Sequence, residues 1–351
     1  MISMLQEIAT RAGVSVRTVC RVLTNTPYVS VGTRRKVLAV AEELGYIPGS
    51  EITRPRRART GTIGLVFPYT AEFVFGDPHL LVFTRGVEEF LGQHDFHLAL
   101  FPARSAAHPS DGLDRLLESP YVDGAIIVHR DEIEEAGLRL RHRALPIVVL
   151  GYRSPWGTDN TVHANNRQGA LYAVRHLLAL GHRRIGVIHA AVPLADLSER
   201  MAGYRRALAE ARIAFDPSLV VYGDLTETGG MRAITALLKL PLPPTAVLAF
   251  NDRMALGAIH GLKQAGYRVP EDIAVVGFDD IPMAAMADPP LTTVRQPAHE
   301  MGTVAARMIV GLIEGKIDRF PALVLPALLV VRRSCGAEAS PSGAHPSPAA
   351  R

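Results

Sequence analysis

The sequence predicts an α/β protein in which a small helical N-terminal unit precedes a larger unit of two lobes with parallel sheets. Residues 1–47 place their apolar side chains at helical spacing. From Ile63 onward, short apolar runs alternate with helical stretches, which is typical of parallel strands covered on both faces. Eight such runs exceed what one doubly wound sheet usually holds, so two Rossmann-like lobes are favoured.

The first helix is indicated by Leu5, Ile8, Ala9 and Ala12, which fall on one helical face. Gly13 interrupts this run and can adopt the positive φ that a tight turn between helices needs.

The second helix is expected to begin after Ser15, whose side chain can accept a hydrogen bond from a backbone N–H near Thr18. On this helix the inward face is predicted to carry Val19, Val22 and Leu23, while Val16, Arg17 and Arg21 point elsewhere. Two short helices joined at a glycine, the second exposing arginine near its start, form the helix-turn-helix pattern of DNA-binding proteins. The alternative is a three-helix bundle with no role in DNA binding.

The charge distribution supports DNA binding. Residues 1–60 carry ten Lys/Arg and four Asp/Glu, a balance of +6, whereas the rest of the chain carries 28 against 30, a balance of −2. Positive charge concentrated at a helix-turn-helix is typical of phosphate binding. A basic face that is merely solvated is the other interpretation.

Several motifs together resemble the LacI/GalR family of bacterial transcription regulators. In the N-terminal unit these are AGVSVRTVCRVL over Ala12–Leu23, Tyr28-Val-Ser, Thr33-Arg, Lys36-Val and ELGYIP over Glu43–Pro48. In the larger unit they include Arg200-x-x-Gly-Tyr, NDRMALG from Asn251, VVGFDD from Val275 and PLTTVRQ from Pro290. The resemblance implies a fold like that of periplasmic sugar-binding proteins, in which the chain crosses three times between the lobes.

These observations predict the following domains. Residues 1–47 form the helix-turn-helix headpiece, 48–61 a hinge, and 62–335 an effector-binding and dimerisation domain. The resemblance places lobe 1 at about 62–160 and 291–321, and lobe 2 at about 161–290 and 322–335. Residues 336–351 are mostly Ala, Ser, Pro and Gly and are expected to be a disordered tail.

On DNA, the second helix is expected to read base edges, since arginine there pairs most often with guanine. The predicted DNA-binding residues of the headpiece are Val16, Arg17 and Arg21 at base edges, Ser15 and Thr18 at phosphates, and Thr24, Asn25 and Tyr28.

The hinge departs from the family pattern. The resemblance implies a hinge helix whose leucine enters the minor groove, but Pro55 occupies that position and disfavours helix before it. The helix is therefore either truncated or formed differently. Pro55 itself and Ile52 are candidate minor-groove wedges, and Arg54 is a candidate DNA contact.

A binding cleft is predicted where parallel strands end, because open α/β sheets bind ligands beyond the carboxyl ends of their strands. Polar residues suited to sugar hydroxyls follow several strands, and the resemblance implies that Arg200, Asn251, Asp279 and Gln296 contact the effector. Further candidates are Arg153, His79, which replaces a usual aromatic residue, and Asn165, where the family often carries a carboxylate. Asp252 and Asp280 are interpreted as structural acids, and Trp156 either stacks on a sugar or caps the rim of the cleft.

The sequence therefore predicts a homodimeric repressor that binds a pseudo-palindromic operator and is controlled by a small effector, expected to be a sugar. We expect that the chain is not an enzyme and binds no cofactor or metal, because its sequence contains no recognised catalytic or metal-ligand motif. The two cysteines, Cys20 and Cys335, are too far apart in the sequence to suggest a metal site or a disulfide framework. An apolar run of membrane-spanning length and a signal peptide are not recognised either, which favours the cytoplasm. The alternatives are a purine-responsive regulator of the same fold and a soluble solute-binding protein.

Overall fold

The computed structural model of the chain describes residues 4–23, 29–44, 59–119, 121–128, 145–151, 160–192 and 194–337. Within these ranges the architecture is a three-helix headpiece followed by two α/β lobes.

The headpiece consists of α1 (Met4–Ala12), α2 (Val16–Leu23) and α3 (Val31–Glu43). The turn between α1 and α2 contains Gly13 with φ of +68°, as the sequence predicts. The three helices enclose a small apolar core in which Ile8, Val19 and Val37 are completely buried. The helix-turn-helix prediction is thereby confirmed in its geometry.

The first lobe is built on a six-stranded sheet with strand order β11-β5-β4-β3-β1-β2, and its strand pairs are parallel. Its elements up to the first crossing are β1 (Thr62–Thr70), α4 (Ala71–Gly76), α5 (Pro78–Gly92), β2 (His97–Ala103), α6 (Asp111–Glu118), β3 (Gly124–Val128), β4 (Ile147–Leu150) and β5 (Thr161–Ala164). The central strand β3 is buried along its whole length, as expected of a parallel strand covered on both faces.

The second lobe is built on a sheet with strand order β12-β10-β9-β8-β6-β7, which is parallel except for the pair β10–β12. Its elements up to the second crossing are α7 (Asn166–Ala179), β6 (Ile185–Ala190), α8 (Ala195–Glu210), a 3₁₀ turn (Pro217–Leu219), β7 (Val220–Gly223), α9 (Glu227–Leu238), β8 (Ala246–Ala249), α10 (Asp252–Gln264), β9 (Ala274–Asp279), α11 (Pro282–Met286) and β10 (Thr292–Arg295). The predicted pair of lobes with parallel sheets is confirmed.

The crossings between lobes lie a few residues later than the sequence predicts. Strand β5, assigned to lobe 2, pairs with β4 in the first sheet, and β10, assigned to lobe 1, pairs with β9 in the second. After β10 the chain returns to the first lobe as α12 (Ala298–Ile313) and β11 (Leu323–Leu325), then ends in the second lobe with β12 (Leu328–Val330). The predicted lobe boundaries lie before β5 and β10, whereas the chain crosses after them. The sheet that a strand joins is set by its pairing with other segments, which the local sequence does not show.

Helices α5 and α12 pack against each other on the first lobe through glycine. A Cβ atom at Gly86 would collide with the carbonyl group of His299, and one at Gly302 would collide with that of Phe83. This close approach fixes α12, which begins just after the second crossing, against the first lobe.

The predicted tail begins later than residue 336. The N–H of Gly336 donates to the carbonyl oxygen of Arg333 at 3.2 Å, and Ala337 packs against the core of the second lobe. The remaining tail residues, 338–351, lie outside the described ranges. Among the helices that the structure describes, none is both long and apolar enough to cross a bilayer.

Candidate functional site

A cleft between the two lobes collects side chains from the carboxyl ends of strands in both sheets. It encloses about 770 Å³ of empty space, including its opening to solvent. The first lobe contributes Tyr69, Phe73, Asp77, His79, Leu80, Val128, Leu150 and Met301, and the second contributes Leu194, Asp196, Leu197, Arg200, Leu225, Asn251 and Asp279. This is the position where open α/β sheets bind small molecules.

Arg200 occupies the floor of the cleft on the second lobe. Its guanidinium is buried and lies 3.9 Å from the centroid of the Phe278 ring. Its Nε donates to Oδ1 of Asn166 at 2.8 Å, and its Nη1 donates to the carbonyl oxygen of Phe250. These contacts hold the planar donor group in one orientation, which suits directional hydrogen bonding to a ligand.

Asp279 faces Arg200 at the end of β9. One carboxylate oxygen lies 3.8 Å from Arg200 Nη1 and accepts a hydrogen bond of 2.6 Å from Gln296 Nε2. The backbone of Asp279 has φ of +123°, a conformation that costs energy for a residue with a side chain. Gln296, on the segment after β10, completes this group and also lines the cleft.

Burial dominates the electrostatics of this pair. Desolvation lowers the pKa of the Arg200 guanidinium despite the nearby carboxylates, and desolvation raises the pKa of Asp279 despite His79 and Arg200. Both partners are thus shifted toward their neutral forms, because an ion pair at 3.8 Å does not fully replace the lost hydration. Further hydrogen bonds from a ligand would stabilise the charged forms.

Asn251 lies at the junction of β8 and α10 and is largely occupied by local bonds. Its Oδ1 caps α10 by accepting from the N–H of Met254 at 2.9 Å, and its Nδ2 donates to the carbonyl oxygen of Leu225 at 2.9 Å. An amide has two donors and two acceptor sites, so one of each is left for a ligand at this wall of the cleft.

The first-lobe wall combines aromatic rings with the start of α5. The rings of Tyr69 and Phe73 stack with centroids 4.8 Å apart. Asp77 caps α5 by accepting from the N–H groups of His79 and Leu80 at 2.9 and 3.1 Å. This cap presents the half-buried His79 to the cleft, close enough to influence the Asp279 carboxylate.

The structure does not bring Asn165, a predicted effector contact, to the cleft. Asn165 is exposed, caps α7 by accepting from the N–H of Gln168 at 3.2 Å, and does not line the cleft. The next residue, Asn166, points inward and holds Arg200. The reason is that an N-cap side chain turns back onto its own helix, which leaves the first helical residue facing the core.

Asp252 and Asp280 hold the structure around the cleft, in line with the structural role expected of them. Asp252 is fully buried and accepts from Thr293 Oγ1 at 2.5 Å and from the N–H of Ile281 at 2.9 Å. Asp280 pairs with Arg295 at 2.6 Å and with Arg332 at 2.7 Å. Together these acids fix the loop that carries Asp279.

In the headpiece, Ser15 caps α2 as predicted. Its Oγ accepts from the N–H of Thr18 at 3.1 Å, and the two hydroxyl oxygens lie 2.9 Å apart. Arg17 and Arg21 are exposed on α2. Val16 differs from the prediction, because its side chain is half-buried against the headpiece core and only partly available to a base edge.

The other predicted site residues lie outside the described ranges: Thr24, Asn25, Tyr28, Ile52, Arg54, Pro55, Arg153 and Trp156. Sequence reasoning missed Tyr69, Asp77, Asp196 and Asn166. Of these, only Asp77 carried a local signal, an aspartate directly before a proline at a helix start. In the part of the chain that the structure describes, no group of three His, Cys, Asp or Glu could hold a metal ion.

Comparison with known proteins identifies both parts. Residues 4–49 match the model for bacterial regulatory proteins of the lacI family, and residues 174–335 match that for a periplasmic binding protein-like domain. The transcriptional regulator CelR of Thermobifida fusca is 35% identical over 337 residues, covering 94% of this chain and 97% of CelR. The repressor CytR of Escherichia coli (strain K12) is 31% identical over 330 residues, covering 94% of this chain and 95% of CytR.

Solved structures of transcriptional regulators are also similar to this chain. The complex of CelR with cellobiose matches with a TM-score of 0.74 at 35% identity, covering 95% of this chain and 99% of the other. The lac repressor dimer bound to operator and an anti-inducer matches with a TM-score of 0.69 at 27% identity, covering 96% and 100%. Because these likenesses span the headpiece and both lobes in one alignment, the chain belongs to the LacI family of bacterial regulatory proteins and is a DNA-binding transcriptional regulator.

Proposed function

We propose that this chain is a homodimeric repressor that acts in the cytoplasm, binds a pseudo-palindromic operator through α2, and changes its operator affinity when a neutral sugar fills the cleft between the lobes. The observation that carries the effector role is the buried Arg200–Asp279 pair facing aromatic rings across that cleft. The CelR structure with cellobiose makes a disaccharide the first candidate.

The cleft is suited to hydroxyl groups. Arg200 supplies donors in a fixed plane, Asp279 supplies acceptors, and Gln296 and Asn251 each offer both. The stacked rings of Tyr69 and Phe73 offer an apolar face for the C–H side of a sugar ring. The empty space of about 770 Å³ includes the open mouth of the cleft, through which a sugar could enter from solvent.

The charge of the cleft favours an uncharged effector. Asp77, Asp196 and Asp279 line it together with Arg200 and His79. A phosphate or carboxylate on the ligand would meet three carboxyl groups, and like charges at short range are unfavourable in a partly buried site. Sugar phosphates and sugar acids are therefore expected to bind more weakly than neutral sugars.

A heterocyclic effector is the second candidate, and the aromatic stack of the first lobe favours it. Two rings lying 4.8 Å apart at an interplanar angle of 24° form a surface on which a purine base could also stack. The transcriptional repressor PurR of Aliivibrio salmonicida, which is 31% identical over 317 residues, is a relative with which this second candidate can be compared.

The DNA role is supported by the headpiece. Exposed Arg17 and Arg21 lie on the second helix of a helix-turn-helix, beside the capped start that faces the backbone in such complexes. The effector can alter operator affinity only if it binds one lobe arrangement better than another.

The test uses the purified full chain. Operator fragments would be selected from random DNA and labelled, and binding would be followed by fluorescence anisotropy with cellobiose, ribose, glucose 6-phosphate or adenine added. We expect a pseudo-palindromic site, strong salt dependence and a change in operator affinity with a neutral sugar. A response to adenine alone would favour the second candidate, and failure to select any site would refute the repressor proposal.

A further inference from the structure

Arg253 joins the two lobes from behind the wall of the cleft. It is the second residue of α10 in the second lobe, and only 14% of its side chain is exposed. Its Nη1 lies 3.8 Å from Oδ2 of Asp77, which belongs to the first lobe, and its guanidinium lies 5.9 Å from the ring centroid of Phe73. Both of these first-lobe residues line the cleft, whereas Arg253 does not.

Each charge of this pair is held firmly within its own lobe. Arg253 donates from Nε and Nη2 to the two carboxylate oxygens of Glu227 at 2.8 and 2.7 Å. Asp77 accepts from two N–H groups at the start of α5 through its other oxygen. Because neither group can swing freely, the distance between them depends on how the lobes are placed.

The pair can also separate at low cost. If the lobes move apart, Arg253 keeps the fork-like bond with Glu227, and Asp77 keeps its place at a helix N-terminus, where negative charge is stabilised. Neither side becomes a buried charge without a partner, which is the usual penalty for breaking an ion pair. Such a contact suits an equilibrium between two lobe arrangements, because it can form and break without a large free-energy cost.

We propose that Asp77 and Arg253 form a latch between the lobes that stabilises the lobe arrangement described here and thereby positions the first-lobe wall for the effector. The inference rests on the proposed effector site. In this role Arg253 is a positioning residue, since it acts through Asp77 and Phe73 without lining the cleft. Loss of the latch lowers the population of the binding-competent arrangement, and the apparent effector affinity falls by the same factor.

The test is a double-mutant cycle on the full chain. Asp77→Asn removes the charge while its amide oxygen can still cap α5, and Arg253→Gln removes the opposite charge. The matched control is Arg268→Gln, which breaks an arginine–aspartate pair of 2.8 Å with Asp272 inside the second lobe, without contact to the first. Cellobiose is the probe, and binding is measured by calorimetry.

We expect each single change to raise the Kd for cellobiose about fivefold, equivalent to about 1 kcal/mol. The Kd of the double variant should not exceed the higher of the two single-variant values. The control should bind as the unaltered chain does. If Arg253→Gln leaves the Kd unchanged, or if the two effects simply add, the latch is refuted.

A ligand-free measurement separates this inference from the identity of the effector. Spin labels at the exposed residues Glu72 and Ser198, one on each lobe, would report the lobe separation by pulsed dipolar spectroscopy in a Cys20→Ser background. Asp77→Asn and Arg253→Gln should each shift the distances to longer values, and Arg268→Gln should not. A shift without any cellobiose binding would support the latch and refute the disaccharide as effector. Cellobiose binding with unshifted distances would refute the latch and support the disaccharide.

Discussion

Gln296 and Asp279 join the crossover segment to the second lobe through two hydrogen bonds. The side-chain Nε2 of Gln296 donates to Asp279 Oδ1 at 2.6 Å, and its backbone N–H donates to the Asp279 carbonyl oxygen at 3.3 Å. Helix α12, which packs on the first lobe, begins two residues later at Ala298. A ligand that competes for the Asp279 carboxylate therefore also acts on the segment connecting the lobes.

The first prediction concerns Asp279. Asp279→Ala should bind operator normally but fail to respond to the sugar, because the carboxylate that faces Arg200 is lost. We expect a loss of about 2–5 kcal/mol of effector affinity, typical of removing one partner of a buried charged pair. Calorimetry with cellobiose and anisotropy with operator would measure the two activities separately. The control is Asp288→Ala, an exposed carboxylate of the same lobe, and a normal sugar response in Asp279→Ala would remove this residue from the site.

The second prediction concerns the reading helix. Arg17→Ala and Arg21→Ala should each reduce discrimination between operator and random DNA by about 1–3 kcal/mol, since an arginine that pairs with guanine contributes that much specificity. Effector binding should survive, because neither residue belongs to the lobes. Competition anisotropy measures the ratio of the two affinities. Arg11→Ala, which alters an exposed pair on α1, is the control, and unchanged discrimination in both α2 variants would place the reading surface elsewhere.

The third prediction separates a structural role of Ser15 from a DNA contact. Ser15 and Ser30 cap α2 and α3 in the same way, by accepting from N–H groups at 3.1 and 3.2 Å. Each Ser→Ala change should destabilise the headpiece by about 1 kcal/mol, detected as faster hydrogen exchange of its amides in the full chain. Only Ser15→Ala should weaken operator binding further, through loss of a phosphate contact. Equal effects of the two variants on DNA affinity would mean that Ser15 acts only as the N-cap of α2 and does not contact DNA.

The fourth prediction concerns pH. Burial raises the pKa of Asp252 to about 7, and the nearby Asp279 adds to the shift. A carboxyl group with a raised pKa binds its proton more tightly in the folded chain. Its contribution to the free energy of unfolding is therefore complete below the ordinary value near 3.8 and is lost as the pH rises through about 7.

Asp252→Asn should remove this dependence. An asparagine can mimic the protonated acid, with its oxygen accepting from Ile281 and its amide donating to the hydroxyl of Thr293. Denaturant unfolding should show similar stability of variant and unaltered chain near pH 4, and an advantage of the variant above pH 7 of the order of a few kcal/mol. A constant difference across this range would contradict the assignment.

Much of the headpiece and of the strand pattern could be predicted from the sequence. The turn at Gly13, the cap at Ser15 and the buried face with Val19 and Val22 depend on contacts within a few residues. Strands such as Gly124–Val128 could also be predicted from local sequence, because a continuous apolar run indicates burial on both faces. Arg200, Asn251, Asp279 and Gln296 were placed by family motifs, and the structure brings all four to one cleft.

Other features depended on segments far apart in the chain. Strand β11 joins β5 through pairing of Leu323 with Val162, which no local pattern reveals and which displaced the predicted crossings. Helix α12 is missing from the helices predicted from the sequence, although it carries Met301 to the cleft. The choice between Asn165 and Asn166 turned on a single helical position, since a cap faces its own helix and its neighbour faces Arg200.

The sequence by itself determined the two-part architecture and the second helix of the helix-turn-helix, because helix spacing, capping and strand burial are local properties. Its resemblance to the family also pointed to polar side chains that line the cleft. The tertiary structure alone decided which lobe each crossing strand joins, which of two neighbouring asparagines holds Arg200, and that Asp77 of the first lobe meets Arg253 of the second. Those outcomes depend on packing between residues that are not neighbours in the chain, from 34 positions for Asn166 and Arg200 to 176 for Asp77 and Arg253, and such packing is set only when the whole chain is folded.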